Sequence, residues 1–193
     1  VAGDAITLNI DTDGGIEEAV QALRSVSGGA DKAIARAFNK TAGYMKDTAA
    51  NEVPNVFTVS GKSVKAGMKI RKAKTSSLSA EISRSGPPLY ARKFSFDANT
   101  SPGIRGGSAV FLRERHSGGR HLDSIGGKSK AFVVGRGLVM RRPTSARLPI
   151  IHAEGISVPE MLSEPNVRSV IQERGAARLT QELDREIQAL LKN

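Results

Sequence analysis

Cysteine is absent from this 193-residue chain. No disulfide staples it, and zinc fingers, iron–sulfur sites and cysteine nucleophiles are excluded together; the absence fits a protein made in the cytosol. Tryptophan is also absent and aromatic residues make up 4% of the sequence, too few for the ring platform on which single-stranded nucleic acid is stacked. Long apolar runs are missing as well. No stretch approaches the roughly 18 apolar residues that cross a bilayer, and the first twenty residues hold no Lys or Arg to open an export signal. The chain therefore reads as soluble, with no membrane contact and no export signal.

Complete catalytic motifs are lacking too. Ser60-Gly61-Lys62-Ser63 and Gly126-Gly127-Lys128-Ser129 end like phosphate-cradling P-loops, but the glycine required five residues before each Gly-Lys pair is Val56 in one and Leu122 in the other. A helix N-cap at Ser60 and a flexible loop tip at Gly126 are the better readings. His116, His121 and His152 stand at no i, i+3 or i, i+4 spacing to one another, so they read as ordinary surface or edge histidines and no metal site is expected. No Gly-x-Ser-x-Gly elbow occurs. The sequence thus predicts a non-enzyme with no cofactor and no small-molecule substrate.

What is present is charge, unevenly placed. The formal net charge is +10, yet residues 61–147 carry 19 Lys and Arg against only Glu81, Asp97, Glu114 and Asp123, a net of +15. Residues 1–60 are net −3 and residues 148–193 net −2. Scattered charge would serve solubility equally well, so the segregation predicts a contact surface. Lys62, Lys65, Lys69, Arg71, Lys72 and Lys74 form the densest cluster, and Arg141-Arg142 a second. Such a row can neutralise phosphates without reading bases, giving salt-sensitive, sequence-independent nucleic-acid binding. An acidic protein neighbour is an equally good partner for it, because the flanks show that acidic surfaces exist among neighbouring subunits.

At 39% hydrophobic content, residues 1–193 suffice for a single domain with a real core. Alternation over residues 5–11 predicts a half-buried strand, and Ile16, Val20, Leu23 and Val26 share one face of a short helix stopped at Gly28-Gly29. A longer helix is expected from Asp31, striped by Ile34, Phe38, Thr41 or Ala42, Met45 and Ala49 and ending before Pro54. Residues 60–68 read as a short helix, residues 69–73 and the Leu78, Ala80, Ile82 alternation as strands joined at Thr75-Ser76-Ser77. Further strands are expected at 93–97 and 108–114, exposed glycine-rich loops at 99–107 and 117–130, and a hairpin with arms 131–134 and 138–142. A final helix from Pro165 carries Val167, Ile171, Gly175, Leu179, Leu183, Ile187 and Leu191 on its apolar stripe, with Arg168, Glu173, Arg178, Glu182 and Arg185 on its wet face. Gly175 there marks a close packing point or a bend. The fold class is α+β: a mainly antiparallel sheet packed by a long helix in the N-terminal half and a long C-terminal helix over 165–192, around a basic, strand-rich middle.

The Leu148-Pro149-Ile150 strand, Gly155-Ile156-Ser157-Val158-Pro159-Glu160-Met161-Leu162 and the charged amphipathic helix after them resemble the end of the prophage minor tail protein Z family of tailed bacteriophages. Asp31-Lys32-Ala33-Ile34-Ala35-Arg36-Ala37-Phe38-Asn39-Lys40-Thr41 is similar to that family's opening helix, and the basic helix and hairpin that follow agree. The resemblance runs over nearly the whole chain from about Asp31; residues 1–30 are expected to act as an added docking extension. It implies a virion structural protein, made in the bacterial cytoplasm, that completes the tail or joins head to tail at the head-proximal end. It further implies work in a ring, with other copies, the tail terminator or tail tube protein, and the tape measure protein or genome end as partners.

Overall fold

The computed structural model describes residues 5–10, 29–94, 96–99, 108–111, 120–121, 124–125, 128–129, 131–134, 138–144 and 146–192. In chain order the elements are β1 (Ala5–Ile10), α1 (Ala30–Val56), α2 (Gly61–Lys65), β2 (Lys69–Arg71), β3 (Ala80–Ser85), β4 (Phe96–Asn99), β5 (Ser108–Phe111), β6 (Arg120–His121), β7 (Ser124–Ile125), β8 (Lys128–Ser129), β9 (Ala131–Val134), β10 (Leu138–Arg141), β11 (Ile151–His152), α3 (Val158–Leu162) and α4 (Pro165–Leu191). This is an α+β fold, as its sequence predicts.

The antiparallel pair of long helices, α1 and α4, makes the largest packing surface. In α1, Ile34, Phe38, Thr41, Ala42, Met45 and Ala49 are all buried, because recurrence every three or four residues brings them to one face. In α4, Val167, Ile171, Leu179 and Leu183 are buried and Ile187 packs at the margin. The helices approach closely at Gly175, where an added Cβ would lie 2.8 Å from Met45 Sδ; packing, rather than a bend, accounts for the glycine.

Helix α1 runs through Pro54 to Val56 instead of stopping before the proline. Proline has no N–H to offer the Ala50 carbonyl, which frees that oxygen. The backbone of Gly61 packs there so closely that a Cβ at position 61 would overlap it. Gly61 then opens α2, whose N-cap is Ser60, with its hydroxyl accepting from the Ser63 amide at 3.3 Å.

The strands form two antiparallel sheets and a separate hairpin, where one sheet is the expectation. The first sheet has the order β1-β3-β2. Leu8 and Ile70 both stand opposite Ile82, and Leu8, Ala80 and Ile82 are buried against the helices. Period-two alternation therefore turns Lys69 and Arg71, opposite Ser83 and Glu81, to the outer face. The second sheet has the order β11-β10-β9-β5-β4 with β6 also on β5, and β7 pairs β8. Backbone bonds tie it to the core: Ala153 N–H donates to Val139 O at 3.0 Å, and Ala91 N–H to Ala153 O at 2.8 Å. Helix α3, capped by the Ser157 hydroxyl, buries Val158, Met161 and Leu162 beneath the first sheet.

Several boundaries differ from expectation. Lys93 closes a 3-10 turn, Ala91–Lys93, and the strand starts at Phe96. Residues 117–130 hold β6, β7 and β8 rather than an uninterrupted loop. The strand expected at Leu148 begins at Ile151. The predicted helix at 16–26, the loop at 100–107 and the hairpin turn at 135–137 lie outside the described residues.

Candidate anionic-partner interface

The basic cluster is built on the β2–β3 hairpin. Lys74 and Ser77 exchange backbone hydrogen bonds at 3.0 Å in both directions, closing a two-residue turn over Thr75 and Ser76. Two side chains of α1 hold the strand below it. The Asn39 carboxamide accepts from Ala73 N–H at 2.8 Å and donates to Ala73 O at 3.0 Å, and Lys46 Nζ donates to Met68 O at 2.6 Å. Satisfying both backbone groups of Ala73 fixes the hairpin's exit from its edge strand.

The eight sequence-predicted cations are not one surface. Arg71, Lys72 and Lys74, with Ser76, Ser77 and Ser79, line a surface basin of about 350 Å³ at the hairpin tip. Arg71 stands 3.8 Å from Glu81, a loose pair on a side chain 84% exposed. Lys69 precedes them on the outer face, and Lys62 and Lys65 lie on α2, where Lys65 pairs with Asp47. Arg141 ends β10 of the second sheet, Arg142 follows it, and both are half-buried. The Arg142 guanidinium sits 4.6 Å from the Phe132 ring centroid and donates to Arg147 O, so it serves the fold more than an outside partner.

A second charged constellation, not anticipated from the sequence, lies between α1 and α4. Glu182, expected on the wet face, is 1% exposed and Glu186 is 6% exposed. Arg178 Nη2 reaches Glu182 Oε1 at 2.6 Å and Arg185 Nη1 reaches the same oxygen at 2.9 Å. Lys40 Nζ bridges the two carboxylates, 3.2 Å from Glu182 Oε2 and 3.1 Å from Glu186 Oε1. Its approach to Glu182 is an ion pair without good hydrogen-bond alignment, since Oε2 makes no aligned bond. Arg36 donates to Glu186 Oε2 through both Nε and Nη2. Burial pushes the Glu186 carboxyl up, but the Arg36 and Lys40 bonds outweigh it and hold the group below the ordinary range. The hydrogen bond to Glu186 and the close approach of Glu182 raise the Lys40 ammonium above its ordinary value. The sequence signal was there in complementary spacing: Arg36 and Lys40 on α1, Glu182 and Glu186 on α4, each four apart.

These carboxylates are ion-paired and tie the two helices together. Among the described residues no group of three or more His, Cys, Asp or Glu could hold a metal.

The model of the prophage minor tail protein Z family matches residues 14–193. The chain belongs to this family. No curated protein and no solved structure matches it. The family match starts ahead of Asp31, so residues 14–30 fall within the minor tail protein Z pattern instead of outside it. Strand β1, which precedes the match, is itself a full-length partner of β3. As a phage tail protein the chain has other tail or virion components as its setting. Among the described residues no helix is long and apolar enough to cross a membrane.

Proposed function

We propose that this minor tail protein Z family member is a structural part of the virion that completes the tail at its head-proximal end and takes part in joining it to the head. It works as a ring of identical copies that meets the tail terminator or tail tube protein. The observation that carries this reading is the family match over residues 14–193. The charge layout supports it: Glu173 and Asp184 are exposed on α4 with no ion-pair partner among the described residues, and Lys62 and Lys69 are likewise free. Copies arranged head to tail can set the exposed Glu173 and Asp184 of one copy against the basic outer face of the next, a heterologous contact that closes into a ring.

The test is complementation. Tails assembled without the protein should fail to yield infectious particles, and adding the purified protein should restore them; electron microscopy of the restored tails should show a ring at the head-proximal end. Infectious particles formed in its absence, or density at the distal tip, would sink the reading.

A further inference from the structure

We propose that the hairpin-tip basin is a phosphate site for a nucleic-acid backbone, held by Arg71, Lys72 and Lys74 and finished by the hydroxyls of Ser76, Ser77 and Ser79. The proposal does not depend on ring assembly. Every residue lining the basin is a cation or a hydroxyl donor. A protein-docking site is ordinarily centred on apolar or aromatic anchors and is depleted in Lys and Ser, whereas Arg, Lys and Ser are the side chains that contact phosphate oxygens. The basin has no such anchor.

The charge balance agrees. Four of the chain's acids are engaged at home: Glu182 and Glu186 by four cations, Glu52 by Arg174, Asp47 by Lys65. Lys72 and Lys74 have no ion-pair partner among the described residues, and the carboxylate nearest Arg71 is Glu81 at 3.8 Å. Three cations beside one loosely held carboxylate suit a polyanion with closely spaced charges better than a single carboxylate side chain. The anchoring of Ala73 by Asn39 holds the hairpin in place before any ligand arrives. With no aromatic ring and no amide side chain in the lining, base stacking and adenine readout are excluded and phosphate contacts dominate, so binding is largely independent of sequence.

Binding of fluorescent duplex DNA of random sequence to the full chain, followed by anisotropy across a salt series, tests this. Each phosphate neutralised contributes about 0.9 to the slope of log affinity against log salt. The Lys72→Gln/Lys74→Gln variant should lower that slope by about 1.8, shrinking the affinity lost between about 50 mM and about 200 mM salt by roughly tenfold. Ser76→Asp, which sets a carboxylate in the basin without removing a cation, should weaken binding as well, while Lys192→Gln at the end of α4 should cost about one unit of slope at most. All four positions are exposed, and an unchanged circular dichroism spectrum confirms the fold. An unchanged slope in the double variant overturns the proposal. So does competition by a poly-glutamate of equal charge that matches unlabelled DNA, which would assign the basin to an acidic protein surface. Competition by inorganic phosphate at the same charge concentration as DNA would also overturn it, by showing a site for the free ion.

Discussion

Replacing Glu182 by glutamine keeps the size of the side chain and removes its charge, and the structure sets the expected cost. The carboxylate is 1% exposed and lies within 3.2 Å of Lys40, Arg178 and Arg185. Removing one member of a fully buried ion pair costs about 3–5 kcal/mol, because the partner is left uncompensated. Here the three cations are 52%, 31% and 64% exposed, so water screens much of what they lose. The glutamine oxygen can still accept from one guanidinium, while its amide group meets cations instead of an acceptor. A net loss of about 2 kcal/mol follows, which in a chain of this length lowers the Tm by about 4–8 °C. Glu173→Gln, on the exposed face of the same helix, should stay within about 0.5 kcal/mol of the parent. Urea unfolding followed by circular dichroism measures both. If Glu182→Gln is no more destabilised than Glu173→Gln, the carboxylate is not part of what joins α1 to α4.

Acid should attack the same junction through Glu186. Its pKa is held below the ordinary carboxylate value by Arg36 and Lys40 against the opposing effect of burial, so its stabilisation is complete above that ordinary value and is lost as pH falls through the depressed one. The Tm gap between the parent and Glu186→Gln should therefore be constant near neutrality and close in acid; a gap independent of pH down to about 3 would contradict the assignment. Lys40, raised by Glu186 and Glu182, contributes stability that is complete below its ordinary value and lost as pH rises through the raised one. Gly175→Ala gains about 1 kcal/mol of helix propensity but forces Met45, whose Sδ and Cγ would lie 2.8 and 2.9 Å from the new Cβ, to move at about 1–3 kcal/mol. The Tm should fall by a few degrees, and a rise would show that the helices have slack there. Asn39→Ala removes both bonds to Ala73, about 1 kcal/mol each, and should speed hydrogen exchange at the Ala73 amide; unchanged protection would mean the hairpin holds itself.

The parts of the fold legible in the sequence are those set by local periodicity. The stripe from Ile34 to Ala49, the alternation that buries Ala80 and Ile82, the β9–β10 hairpin and the Ser60 cap each depend on residues within a turn or two of one another. What escaped depends on distant neighbours. Pro54 looks like a stop, yet α1 runs on to Val56, with Gly61 of the next helix packed against the Ala50 carbonyl. Glu182 has the composition of a wet face, yet Lys40, far away in sequence, meets it. Three two-residue strands, β6 to β8, carry too short a pattern to be told from the glycine-rich loop sequence around them.

The candidate site divides along the same line. In sequence, Lys62, Lys65, Lys69, Arg71, Lys72, Lys74, Arg141 and Arg142 are equivalent positive charges, and no local signal ranks them. Tertiary structure ranks them by what each already touches: Lys65 has Asp47, Arg142 has Phe132 and a carbonyl, and Lys72 and Lys74 have no counter-ion among the described residues. A cation with a partner at home gives up that partner to bind another, so its net gain is small. One left facing a polar basin gives up only water and loosely held ions, whose release favours association with a polyanion. Net charge marks the middle of the chain; among the described residues the hairpin tip is where Arg71, Lys72 and Lys74 share one polar basin, and Lys72 and Lys74 keep no counter-ion there.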